Sequence, residues 1–164
     1  MNKAIAFFLV ATLSACAGIA PTSFFPDGDP DIDPNDPTGA DNVTFGALLN
    51  NVRVANGAGF VTFDTHLATA AQTHANDMLI NNLTGHTGSD GSDPGDRATR
   101  AGYTGATVSE SVSIGQRDER AYMDSCSVTP DCHAAHIDPR WDDFALAKAG
   151  SGPDTHWVRL LGDQ

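Results

Sequence analysis

Phe63-Asp64-Thr65-His66-Leu67-Ala68-Thr69-Ala70-Ala71-Gln72-Thr73-His74-Ala75-Asn76-Asp77-Met78 carries its own start signal and its own buried face. Asp64 or Thr65 stands where a side-chain oxygen can accept from the unpaired N–H groups of a first helical turn. Leu67, Ala70, Ala71, His74 and Met78 then return to one side of a 3.6-residue period. Upstream, Phe45, Leu48, Leu49 and Val52 repeat the i, i+3, i+4, i+7 spacing from Asn42 until Asn56-Gly57, which predicts a first core helix. A short extended piece, Phe60 to Phe63, joins the two. Downstream, Thr84 to Gly91 reads as a loop. Asp93 as cap, Pro94 at the first position and Gly102 just past the end predict a compact third helix.

The period changes after that. From Thr107 to Ile114, Val108, Glu110, Val112 and Ile114 fall on one face and Thr107, Ser109, Ser111 and Ser113 on the other, which predicts a strand. Gln116 to Met123 is expected to be a short helix. Phe144 to Ala149 and His156 to Leu161 are expected to form a hairpin around Gly150-Ser151-Gly152-Pro153-Asp154. There is no internal repeat. Helices before, between and around a few strands predict an α+β fold, a three-layer α/β/α sandwich with a small, largely antiparallel sheet, in one domain over residues 43–164.

Residues 1–15 combine Lys3, the apolar run Ala4 to Leu13 and the small residues Ser14 and Ala15, the pattern of an export signal. Its apolar run of about ten residues is too short to cross a bilayer as a helix. Leu13-Ser14-Ala15-Cys16 resembles a lipobox, so Cys16 is expected to be lipidated and to anchor the protein to a membrane, in the cell envelope on the periplasmic or cell-surface side. Ala17, rather than Asp, after the cysteine favours the outer membrane. Residues 16–42 read as a tether: five of the nine prolines and Asp27, Asp29, Asp31, Asp33, Asp36 and Asp41 lie in it, and self-repelling charge with proline favours an extended chain. Asp27, Asp29 and Asp31 echo a calcium loop, but Ile32 and Thr38 occupy the positions that need Gly and Glu.

Nine basic against twenty-one acidic residues give a net charge of −12, which argues against a nucleic-acid partner. A monomer is expected. Cys126 and Cys132 remain once Cys16 is lipidated, an even pair expected to be disulfide-bonded in an oxidising compartment, with metal ligation as the alternative.

Glu110 is the most informative single position, because a carboxylate on a core-facing side must be hydrogen-bonded, paired or metal-bound. His86 and His133 are its candidate partners. Together they would make a divalent-metal site or an acid/base set; the alternative is that each histidine makes a structural hydrogen bond. His74, on the buried helical stripe, reads as a core histidine and Arg53 as a structural pairing partner. No strand-turn-helix elbow frames Ser109, Ser111 or Ser125 as a nucleophile.

Several stretches taken in order resemble the CAP superfamily, the cysteine-rich secretory proteins, antigen 5 and pathogenesis-related 1 proteins, in its bacterial form. They are Leu48 to Arg53 with Asn56-Gly57, then Phe63 to Met78. His86-Thr87-Gly88-Ser89-Asp90-Gly91-Ser92 is similar to the family's SH-x-x-x-DGS loop, and Arg97 with Ala101-Gly102-Tyr103 to its R...AGY segment. Glu110 stands in place of its GEN, Cys132 to Pro139 in place of GHR-x-x-ILNP, and His156-Trp157-Val158 in place of YWV. The resemblance spans the whole domain. It implies the same layered fold and a central cavity lined by His86, Glu110 and His133, where a divalent cation such as zinc can sit, with His136 as an optional further ligand. Ser109 and Ser111 depart from the family's Gly and Asn, and residues 126–132 form an insertion before His133. Three functions follow: a non-enzymatic module binding a small molecule, lipid or envelope partner; a metal-assisted peptidase with Glu110 as base; or a structural envelope protein.

Overall fold

A computed structural model of the protein describes residues 38–164. The export signal, the lipidation site Cys16 and the tether up to residue 37 lie outside the described residues. Among the described residues there are five α-helices and a four-stranded sheet. The helices are α1 (Asn42–Ala55), α2 (Thr65–Asn81), α3 (Pro94–Ala101), α4 (Glu119–Ser127) and α5 (Pro130–Ile137). The strands are β1 (Thr62–Phe63), β2 (Val108–Ile114), β3 (Asp143–Ala149) and β4 (His156–Gly162), in the order β1-β3-β4-β2. Only the two-residue pairing of β1 with β3 is parallel. The predicted α+β sandwich with a largely antiparallel sheet is the fold observed, and among the described residues no helix is long and apolar enough to cross a membrane.

The sheet separates two cores. Ala145, Ala147 and Ala149 of β3 and Val158 and Leu160 of β4 face α2 and α3, packing on Leu67, Ala70, Ala71 and Met78. The alternate residues Phe144, Leu146, Trp157 and Leu161 face α1 and α4, packing on Phe45, Leu49, Tyr122 and Met123. The alanines let α2 lie close to the sheet. On the other side the approach is set at Gly46, where a Cβ would come within 2.5 Å of the Phe144 ring.

Local chemistry starts the helices where the sequence indicates. Asp64 caps α2 by accepting from the N–H groups of His66 and Leu67, and Asp93 with Asp96 closes a reciprocal capping box on α3. Two elements differ from expectation. The helix expected at 116–123 begins at Glu119, because the Asp118 side chain accepts from the Ala121 N–H, and it runs on to Ser127. α5, opened by Pro130, was not expected at all. Packing also reaches back before residue 43, since Asp41 caps α1 and Ala40 is buried in the α1 core.

Arg53 is fully buried and pairs with backbone, not with a carboxylate. Its guanidinium donates to the carbonyls of Gly59 (2.6 Å), His136 (2.8 Å), Asp138 (3.0 Å) and Trp141 (3.0 Å), tying α1 to the end of α5 and to the turn before β3. Arg53→Met should therefore lower stability by about 2–3 kcal/mol in urea unfolding. The carbonyls of buried His136 and Trp141 would lose their donor, while those nearer the surface regain water. A loss below about 1 kcal/mol would mean that these four contacts do not hold the corner.

Candidate functional site

Strand β2 is an edge of the sheet, and its pleat sends side chains to opposite faces. Glu110 pairs in register with Leu160, so it points to the α2–α3 side; Ser111 pairs with Arg159, so it points to the α5 side. The Glu110 side chain is 1% exposed. Its Oε2 accepts from Arg97 Nη2 at 2.7 Å and its Oε1 from His86 Nδ1 at 2.9 Å, with His74 Nε2 at 3.7 Å. The carboxylate on the apolar face is thus both ion-paired and hydrogen-bonded.

Each partner is held by its own element. Arg97 projects from α3, and besides Glu110 it donates to the carbonyls of Ser92 and His86, so one guanidinium fixes both the carboxylate and the loop that carries His86. That loop is also pinned by Asp77 of α2, which accepts from the Ser89 hydroxyl at 2.6 Å and the Ser89 N–H at 2.7 Å. These bonds hold the Asp77 carboxyl below its ordinary range. Gly88 permits the close turn, since a Cβ there would lie 2.8 Å from Ser92 Oγ. His74 is buried, and its Nε2 lies 2.9 Å from the Gly85 carbonyl. A carbonyl only accepts, so Nε2 is the protonated nitrogen, and Nδ1 is buried without a partner.

Across the edge of β2 lies an open cavity of about 260 Å³. His86, Ser109, Glu110, Ser111 and Val112 form one wall, and Thr129, Asp131, Cys132, Ala135 and Arg159 the other. Cys126 and Cys132 form the expected disulfide. It lies under Arg159, whose Nη2 is 3.9 Å from Cys132 Sγ.

Residues 47–158 match the family model described as CAP, the cysteine-rich secretory protein family. The chain belongs to the CAP family. An SCP-domain extracellular protein from Bacillus anthracis has the same fold, with a TM-score of 0.66 at 17% identity over 74% of this chain. An outer surface protein from Borrelia burgdorferi gives 0.67 at 16% over 75%, and a cysteine-rich secretory protein from Staphylococcus aureus 0.60 at 11% over 74%. The match takes in 91% of the Borrelia chain but only 39% and 38% of the other two. At these identities the likeness is one of fold. No curated protein matches the chain.

Of the CAP cavity residues expected from the sequence, the fold brings His86 to Glu110 and leaves His133 apart. His133 sits on α5, does not line the cavity, and has a buried Nδ1 without a partner. His86, Glu110 and His133 do not offer three ligand atoms within 4.8 Å of one another. Among the described residues the one trio that does is Cys126, Cys132 and His136, and its two sulfurs are the disulfide. The reason is the pleat: Glu110 and α5 lie on opposite sides of the edge strand. Among the described residues, His86, Glu110 and His133 thus form no three-donor cation site. Both Glu110 oxygens are engaged, one of them by a guanidinium, and a second guanidinium, Arg159, lines the cavity. His136 is not a further ligand at Glu110 either. It is 1% exposed, packs edge-on against Phe45 and lies 3.4 Å from Cys126 Sγ.

Sequence reasoning missed three members of this region. Arg97 was recognised as part of a motif without a role, His74 only as core, and Arg159 not at all. The signal for Arg159 was present: it is a charged residue in the buried strand β4, between Val158 and Leu160.

Proposed function

We propose that this CAP domain is a binding module and not a hydrolase, with the cavity over the edge of β2 as the seat of a small molecule. The observation that carries this reading is the commitment of Glu110: Oε2 is ion-paired to Arg97 and Oε1 accepts from His86, so neither oxygen is left unengaged for a substrate proton. A base for peptide hydrolysis would need one of them. The cavity beside it is open, and most of its lining can donate or accept hydrogen bonds.

The reading extends to placement. The signal at residues 1–15 and the Leu13-Ser14-Ala15-Cys16 ending support export and lipidation at Cys16, and the structural neighbours are an extracellular and an outer surface protein. The tether then holds a monomeric domain off the membrane, with the cavity free for a small molecule, a lipid headgroup or an envelope component.

A defined set of small carboxylates, phosphates, amides and sugars, titrated into nitrogen-15-labelled protein, tests the binding reading. Saturable shifts at the amides of Ser111, Val112, Cys132 and Ala135 are expected from at least one class, with peptide turnover at background in wild type and in Glu110→Gln. No shift from any class, or peptide turnover abolished by Glu110→Gln, would overturn it. Cys16→Ser should move the protein from the membrane fraction to the soluble fraction.

A further inference from the structure

Arg159 is 1% exposed, and its Nε and Nη1 have no hydrogen-bond partner. Its Nη2 lies 3.9 Å from Cys132 Sγ, a poor acceptor, and the neutral Tyr122 hydroxyl is the other polar group beside the guanidinium. Burial works against its charge, with the Tyr122 hydroxyl and the Glu110 carboxylate pulling the other way. Glu110, however, is hydrogen-bonded to Arg97 and His86 on the opposite face of β2, and the Tyr122 hydroxyl makes no aligned hydrogen bond to the guanidinium. An always-charged, five-donor group held in the fold with most of its donors unused calls for an anionic acceptor.

We propose that the cavity over the edge of β2 receives the head of a small organic anion, a carboxylate or a phosphate, and that Arg159 is the residue that binds it. The inference rests on the binding-module reading and adds the ligand's charge. A planar guanidinium offers such a head two parallel donors, and the hydroxyls of Ser109, Ser111 and Thr129 in the same lining supply further ones. Ala135 leaves a small apolar patch on the same face for the rest of the molecule. The one uncommitted acid in the lining, Asp131, is exposed and screened by solvent. At about 260 Å³ the cavity is below the roughly 300–1,000 Å³ of drug-sized pockets, so the anion is small.

Butyrate, inorganic phosphate and the neutral isostere butyramide, each titrated into the intact domain and followed by the arginine Nε–Hε resonances and by calorimetry, test this directly. Butyrate or phosphate should saturate one site and shift the Arg159 Nε–Hε signal, with butyramide at least tenfold weaker. The anion that binds more tightly identifies the head group. Arg159→Gln should lose at least tenfold in anion affinity, and without anion its thermal midpoint should equal or exceed that of wild type. A structural arginine predicts the reverse, a lower midpoint with no anion binding in wild type, and that result overturns the inference. Should Arg159→Gln not fold, the wild-type comparison of butyrate with butyramide still decides. If butyramide or other neutral probes bind the cavity as well as butyrate does, the binding-module reading stands and the anion assignment falls. If no probe of any class binds, both fall.

Discussion

Arg97→Met should cost about 3–5 kcal/mol, a large share of the roughly 5–15 kcal/mol that holds a domain of this size. The Arg97 and Glu110 side chains are 3% and 1% exposed, so solvent does little to screen their interaction. Removing the guanidinium leaves a buried carboxylate with only His86 as hydrogen-bond partner and His74 Nε2 at 3.7 Å, and it also frees the carbonyls of Ser92 and His86. The loss should be mutual rather than additive. Glu110→Gln in the Arg97→Met background should restore part of the stability, because the uncompensated charge is gone, and a double-mutant cycle in urea should give a coupling above about 1.5 kcal/mol. A loss under 1 kcal/mol for Arg97→Met, or no coupling, would show that the pair does not anchor β2 to α3. The same pair then could not be what keeps Glu110 from acting as a base.

Glu110 and Arg159 show what the sequence exposes and what it conceals. The alternation of β2 puts a carboxylate on the core side, and the fold supplies the partner this demands. The argument applies with equal force to Arg159, but β4 reads as a nearly unbroken apolar run buried on both faces, in which period-two alternation is faint and one charge is easily passed over. The cap residues Asp64 and Asp93 fix the starts of α2 and α3 through short-range hydrogen bonds, which is why those boundaries were legible. α5 repeats the cap-then-proline start of α3 in Thr129-Pro130, but no apolar stripe extends it. Its cap residue Thr129 makes no capping hydrogen bond, and its buried residues are Cys132 and His136 rather than an aliphatic stripe. The separation of His133 from Glu110 follows from β2 being an edge strand with α5 across its pleat, a consequence of strand order that no spacing of residues encodes.

His136 should make the domain acid-sensitive well above the carboxylate range. Burial, followed by the charges of Arg159 on β4, His133 on its own helix and Arg53 on α1, lowers its pKa to about 3 from the ordinary 6.5. The unfolded chain then takes up this proton first. Between about pH 6.5 and 3 the unfolded state holds more protons than the folded one, so stability falls with falling pH by roughly 1.4 kcal/mol per unit. The contribution is fully present above pH 6.5, and its loss amounts to about 4–5 kcal/mol by pH 3. Burial also lowers the pKa of His156, which steepens the upper part of this window. Asp77, Asp118 and Asp138, whose hydrogen bonds hold them below the ordinary carboxylate range, act in the same sense but only once the pH nears 4. The interval from pH 6.5 to 4.5 therefore isolates the histidines. Chemical denaturation across it should show a slope in wild type that His136→Leu, of similar volume, reduces by about one proton, with stability at pH 7 changed much less than at pH 4.5. An unchanged slope in His136→Leu would mean that His136 is hydrated or paired in solution, and that the packing of α5 on the disulfide is looser than its contacts with Phe45 and Cys126 imply.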